Sequence, residues 1–246
     1  MTNTSITHKM RSAGKVHAKI LNQLVRNAKA GMSTLEFDQM TEKLCEKYKV
    51  YPIQKDVKGF DHAICVGVND NTVHAIPRTD VIIKEGDILT LDFTIKKDGY
   101  CADGGTTVPI GKVDNDGLRL IETSKLAFEA GRKAAKTGNR VGDIGHAIHS
   151  VAKLAGFDVL RDFAAHGIGR KMHEDPLVPN IGEPGTGEEL TEGMTIALET
   201  LVVEGNPEVV ILEDGWTTKT VDGKRFAYYE HTIVVTEDGG EILTKE

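Results

Sequence analysis

Cysteine is scarce in this chain: three among 246 residues, Cys45, Cys65 and Cys101, with no CxxC pair. Such spacing excludes a zinc knuckle or a disulfide framework and suits a reducing compartment, where buried structural thiols are the ordinary case. Basic residues are not in excess either. Lys and Arg number 30 against 37 Asp and Glu, a net charge of −7 with no basic cluster. Neither nucleic acid nor an anionic membrane is therefore an expected partner. Long apolar runs are missing too, and none approaches the roughly 18–20 residues that cross a bilayer. The opening MTNTSITHKMRS lacks the apolar centre of a signal peptide, so the expected location is cytoplasmic. The remaining composition, with 26 glycines that signal many turns, is that of an ordinary globular protein and names no function.

The chain does resemble itself. Ala28-Lys29-Ala30-Gly31 matches Ala135-Lys136-Thr137-Gly138 at an offset of 107 residues. Glu85-Gly86-Asp87-Ile88-Leu89-Thr90-Leu91-Asp92 matches Glu192-Gly193-Met194-Thr195-Ile196-Ala197-Leu198-Glu199 at the same offset, without gaps. Two separated segments on one offset predict related halves, roughly residues 8–115 and 116–246. Each half opens with a helix, apolar at Met10, Ile20, Leu21, Leu24 and Val25 in the first and at Leu118, Ile121 and Leu126 in the second. The Ala-Lys-x-Gly segments read as helix ends closed by glycine. A second helix follows each. Ser33-Thr34-Leu35-Glu36 reads as a capping box before Phe37, Met40 and Leu44, and Val141, Ile144, Ile148 and Val151 form the equivalent apolar stripe. Strands are predicted over 87–95, 100–109, 194–203 and 226–236. No Pro- or Ser-rich linker separates the halves. The expected architecture is α+β: one domain over residues 1–246, with helices packed on a curved antiparallel sheet.

Four carboxylates interrupt apolar strands. Leu89, Leu91, Phe93 and Ile95 share one face of their strand, which puts Asp92 on the other with Ile88, Thr90 and Thr94. Lys97-Asp98-Gly99 is a hairpin signal, and folding back there sets Asp92 opposite Asp103, with Cβ atoms roughly 4.5–5.5 Å apart. Two carboxylates that close repel unless a cation lies between them. The second half repeats the pattern, with Glu199 at the position equivalent to Asp92 and Glu230 sharing a face with Tyr228 and Thr232. One such acid would be an exposed group on a solvated sheet face. Four, two from each half, point to a dinuclear centre between the halves.

Nine histidines need sorting. His8 and His17 fall in the first helix, and surface or helix-face roles are expected for these two and for His62, His146 and His149. His231 points away from Glu230, to the other face of its strand. His74, after Asn69-Asp70-Asn71, and His166 and His173, which bracket His-Gly-Ile-Gly-Arg-Lys-Met-His, stand in loops where backbone can approach a ligand closely.

Taken together, these residues resemble the type I methionine aminopeptidases. His74 in NDNTVHAIP, Asp92 in LDFTIKKDGY, Asp103 in CADGGT, His166 in HGIGRKMHEDP, Glu199 in EGMTIALET and Glu230 in YYEHTIVVT occur in the family's order from about residue 8 to residue 244. The resemblance implies the pita-bread fold of two pseudo-symmetric αβ halves. It implies two divalent ions (Co, Mn, Fe or Zn), with Asp92 on one, His166 and Glu199 on the other, and Asp103 and Glu230 bridging both. It further implies removal of N-terminal methionine ahead of a small second residue by a metal-bridged hydroxide. Glu199, His74 and His173 are then the catalytic residues, and His74, His173, Phe60, Cys65, Met172 and Trp216 bind substrate. The implied partners are the N-termini of nascent polypeptides, met transiently at the ribosome, and the implied working form is a monomer. Four positions depart from the family's pattern: Gln54, Val57, Ala75 and Thr200. Two other readings are a peptidase of the same fold with a different first-residue preference, Xaa-Pro enzymes included, and a non-catalytic binding member. The intact ligand set and acidic charge weigh against the second.

Overall fold

The computed structural model describes residues 3–246; Met1 and Thr2 lie outside the described residues. The first half comprises α1 (Asn3–Asn27), α2 (Thr34–Tyr48), β1 (Tyr51–Pro52), a 3-10 turn (Ile53–Asp56), β2 (Cys65–Val68), β3 (Ile88–Lys97) and β4 (Tyr100–Pro109). The second comprises α3 (Asn115–Ala134), α4 (Val141–Leu154), β5 (Asp158–Val159), β6 (Ala164–Gly167), β7 (Glu174–Pro179), β8 (Thr195–Val203), β9 (Val209–Ile211), β10 (Thr218–Thr220), β11 (Phe226–Thr236) and β12 (Gly239–Ile242).

Shifted by 107 residues, α2 and β3 fall on α4 and β8 to within a residue or two. The relation breaks after β8, because the β9–β10 hairpin intervenes before β11 takes the place of β4. Local chemistry explains the helix boundaries. Glu36 reaches back to the Ser33 backbone N–H at 2.7 Å, so the predicted capping box is present. The predicted glycine closures are corrected: α1 and α3 end at Asn27 and Ala134, and Gly31 (φ 92°) and Gly138 (φ 86°) take left-handed backbone in the turns beyond them.

Both halves feed one antiparallel sheet ordered β1-β3-β4-β11-β8-β6-β7, with β4 and β11 joining them at the centre. One core packs α1 and α2 on β3 through Leu24, Phe37, Leu89 and Phe93; the other packs α3 and α4 on β8 and β11 through Phe128, Ile144, Ile148 and Leu198. Of the residues predicted to line α3, Ile121 is buried, but Leu118 and Leu126 face solvent. The helix buries the stripe Leu120, Ile121, Ser124, Ala127, Phe128 and Gly131 at i, i+3 and i+4 steps, and the two leucines fall off it. Among the described residues no helix is long and apolar enough to cross a membrane.

His62 and His17 depart from the expected surface or helix-face roles, whereas His149 keeps one on α4, half-buried and 3.3 Å from Asp158. His62 pairs with Asp38 at 2.7 Å, a partner 24 residues away. His17 is fully buried, stacked on Phe93 at 4.2 Å, with Nε2 2.8 Å from the Phe93 carbonyl. A carbonyl only accepts, so Nε2 carries the proton in the neutral ring. Burial pushes His17 down to about 4 from 6.5. A base whose folded pKa is lowered contributes stability that is complete above about pH 6.5 and is lost as the pH falls toward 4. That span corresponds to a loss on the order of 3 kcal/mol. His17→Gln, which keeps a donor toward Phe93, should show a shallower acid decline than wild type in denaturant titrations at pH 7 and pH 4.5. Parallel declines would mean that His17 does not titrate with unfolding.

Candidate metal centre

Strand register assembles the acids. The turn after β3 holds only Asp98 and Gly99, both left-handed (φ 50° and 83°), so Lys97 pairs with Tyr100. That register places Asp92 opposite Gly105 and Asp103 opposite Thr94. The expected direct Asp92–Asp103 pair is thus corrected to a diagonal one, two residues out of step and still on one face. The row continues across the halves: Gly105 faces Glu230, and Glu230 faces Glu199. In the adjacent row Asp103 N–H donates to the Thr232 hydroxyl (2.8 Å), Thr232 pairs with Ala197, and Ala197 with His166. Two rows of one sheet face therefore bring five ligand-type side chains together.

One oxygen or nitrogen from each of Asp103, His166 and Glu230 lies within 4.8 Å of the others, and Asp92 and Glu199 line the same cavity of about 370 Å³. Among the described residues no Lys or Arg lines it. Burial pushes the Asp92, Asp103, Glu199 and Glu230 carboxyls up, and repulsion among the acids adds to the rise at Asp92, Glu199 and Glu230. The protein's own compensation is thin: the Tyr228 hydroxyl donates to Glu230 at 2.7 Å, and the Gly104 N–H to Asp103 at 3.0 Å. Four buried acids with only a few neutral donors against them, beside one imidazole, make a donor set that fits divalent cations. His166 is set up for the role. Its Nδ1 lies 2.9 Å from the Gly167 carbonyl, so Nδ1 holds the proton and Nε2 presents a lone pair.

The remaining predicted site residues, His74, His173, Phe60, Cys65, Met172 and Trp216, line the same cavity. His74 has left-handed backbone (φ 57°), unusual for a non-glycine residue and a mark of a conformation held by its surroundings. Its ring meets Phe163 edge-on at 5.5 Å and Trp216 at 6.3 Å. His173 packs edge-on against His166 at 4.4 Å. Burial pushes both His74 and His173 down, with further lowering from neighbouring imidazoles, so each is neutral near pH 7. Trp216 comes from the β9–β10 hairpin and closes on Phe60 at 5.4 Å. Val73, Phe163, Leu177 and Tyr228 also line the cavity and were not picked out from sequence. For Tyr228 a signal existed, since it sits two residues before Glu230 on the same strand face.

The four departures have local explanations or locations. Ala75 lies outside the left-handed region, so its Cβ is tolerated beside His74. Thr200 donates to the Ser124 carbonyl (2.9 Å) and approaches the Tyr229 carbonyl (3.1 Å), tying β8 to α3 and β11. Gln54 and Val57 stand in the cavity wall.

The family model for metallopeptidase family M24 matches residues 8–237. Methionine aminopeptidase 1 of Bacillus subtilis (strain 168) is 40% identical over 236 residues, covering 96% of this chain and 95% of its own length. The crystal structure of methionine aminopeptidase from Thermotoga maritima superposes with a TM-score of 0.96 at 41% identity, over 98% of this chain and 97% of that one. An X-Pro aminopeptidase from Thermotoga maritima MSB8 shares the fold at a TM-score of 0.77 and 20% identity, with 62% of its chain covered. By the family match and by identity along nearly its whole length, the chain belongs to the methionine aminopeptidases of metallopeptidase family M24.

Proposed function

We infer that this chain is a metal-dependent aminopeptidase that removes the initiator methionine from peptides and nascent polypeptides whose second residue is small. The observation that carries the reading is the joining, in one cavity, of a buried acid cluster with a wall built from Phe60, Cys65, Met172 and Trp216. The acids suit cations, and the wall suits an unbranched thioether. On this reading residues 1–246 act as one catalytic domain, a monomer in the cytoplasm that meets emerging N-termini at the ribosome.

Asp92 would hold one divalent ion, His166 and Glu199 a second, with Asp103 and Glu230 shared; two such charges balance four carboxylates. When bound, the ions supply Lewis acidity, lowering the pKa of water and polarising a peptide carbonyl. Glu199, whose carboxylate lines the cavity, takes the proton from the attacking water and passes it to the leaving amine. Neutral His173 donates an N–H toward the developing oxyanion, and neutral His74 hydrogen-bonds the scissile amide. The aromatic wall keeps water from the first side chain, and a bulky second residue would press on the rim near His74.

The test is metal-reconstituted hydrolysis of X-Ala-Ser peptides that differ only in X. Methionine should lead, β-branched Val and Ile should be poor, and Leu should leak through. One methylene of misfit in an apolar pocket is worth only about 1–3 kcal/mol. Cleavage of Met-Ala-Ser no faster than Ala-Ala-Ser or Leu-Ala-Ser would overturn the methionine assignment.

A further inference from the structure

The substrate wall contains an amide with hydrogen-bonding capacity to spare. Gln54 is 8% exposed, on the 3-10 turn Ile53–Asp56, and lines the cavity beside Val57, Phe60 and Cys65. Its Nε2 donates to the Cys65 sulfur at 3.5 Å, and its Oε1 accepts from the Thr94 backbone N–H at 3.4 Å. Sulfur is a weak acceptor, and 3.4 Å is longer than an ordinary N–H···O bond of about 2.7–3.2 Å. One of the two amide protons goes to that weak partner. Among the described residues the other has no partner, and Gln54 lines the cavity that an occupant would fill.

Methionine makes little use of such a donor, because a thioether accepts weakly. Oxidation changes this. Methionine sulfoxide keeps the unbranched chain but puts a polar oxygen on the sulfur. In a wholly apolar pocket that oxygen would lose its water and gain nothing in return. We propose that Gln54 is a specificity residue whose amide lets this pocket accept N-terminal methionine sulfoxide alongside methionine. The inference rests on the methionine aminopeptidase reading above and extends its substrate class to unbranched first residues with an oxygen acceptor at the δ position.

The experiment uses the full chain loaded with metal, and the peptides Met-Ala-Ser, methionine sulfoxide-Ala-Ser and norleucine-Ala-Ser, on wild type and Gln54→Met. The readout is the ratio of kcat/KM for the sulfoxide peptide to that for Met-Ala-Ser. It should fall about tenfold in Gln54→Met, equivalent to about 1.4 kcal/mol, with the change appearing in KM because the contact is made in ground and transition states alike. Norleucine-Ala-Ser should keep its ratio to Met-Ala-Ser. A fivefold fall or more supports the proposal, and a smaller one overturns it. Should Gln54→Met not fold, Gln54→Leu is judged by the same ratio. If wild type cleaves Met-Ala-Ser and the ratio does not move, this inference alone fails. If wild type cleaves none of the three, the aminopeptidase reading fails and takes the inference with it.

Discussion

Asp103→Asn should lose bound metal and peptidase activity together. The substitution keeps the shape of the side chain and an oxygen able to accept the Gly104 N–H, now bonded at 3.0 Å, so it removes charge with little change in geometry. Asp103 is one of the three residues whose donor atoms fall within 4.8 Å of one another, and the proposed ligand set assigns it to both ions. Residues that merely support a metal ligand typically cost about 10–100-fold in affinity when changed, so a shared ligand should exceed that range. Stability separates this loss from unfolding. Burial pushes the Asp103 carboxyl up, and it raises Asp92, Glu199 and Glu230 in turn. Deleting one of four mutually repelling acids should therefore leave the metal-free protein at least as stable as wild type. His74→Ala is the counter-case: metal content near wild type with a reduced kcat/KM, a tenfold drop corresponding to about 1.4 kcal/mol. Full activity of Asp103→Asn with two ions bound would sink the assignment of Asp103 as a ligand shared by both.

Sequence reading succeeded where chemistry is local or periodic. Strand alternation put Asp92 on the face opposite Phe93, and the register agrees, with Phe93 stacked on His17 behind the sheet. The repeat offset located α4 and β8 from α2 and β3. It failed to relate Asp103 to Glu230, because the inserted β9–β10 hairpin lengthens that segment of the second half. Register was the harder problem. Placing Asp92 against Asp103 needs a different turn from the two-residue one present, and an error of two residues preserves the face while displacing the partner. What could not be read at all depends on contacts between distant segments. Asp38 with His62 and Phe93 with His17 are settled by folding, and no linear pattern announces either. Asn180 is a similar case: its side-chain amide bonds both the Glu199 carbonyl (3.0 Å) and the Leu201 N–H (2.9 Å), filling the gap along β8 between β5 and β6.

The correction at Asp92 leads to the second large effect, at Gly105. This glycine occupies the place between Asp92 and Glu230, opposite Asp92, where the sequence pattern had put Asp103. A Cβ there would lie 2.5 Å from the Tyr228 ring and 2.8 Å from the Leu91 carbonyl oxygen. Neither neighbour can yield cheaply. Tyr228 is 3% exposed and donates its hydroxyl to Glu230, while Leu91 is the backbone immediately before Asp92. Gly105→Ala should therefore cost about 1–3 kcal/mol, the usual range for overpacking a filled interior, and disturb both flanking acids. Activity should drop at least about tenfold even at saturating metal, because Glu230 loses its oriented hydroxyl and β3 shifts beneath Asp92. Tyr228→Phe separates the two effects, removing the hydroxyl and leaving the ring in place. Its stability loss should be smaller, near the ~1 kcal/mol of one buried hydrogen bond. The steric claim is tested by the cycle of Gly105→Ala with Tyr228→Leu, measured by denaturant unfolding of the metal-free protein. A coupling of at least about 0.5 kcal/mol, with the double variant recovering part of the single loss, is the expected result. Strictly additive changes would show that the Tyr228 ring is not what excludes a side chain from position 105.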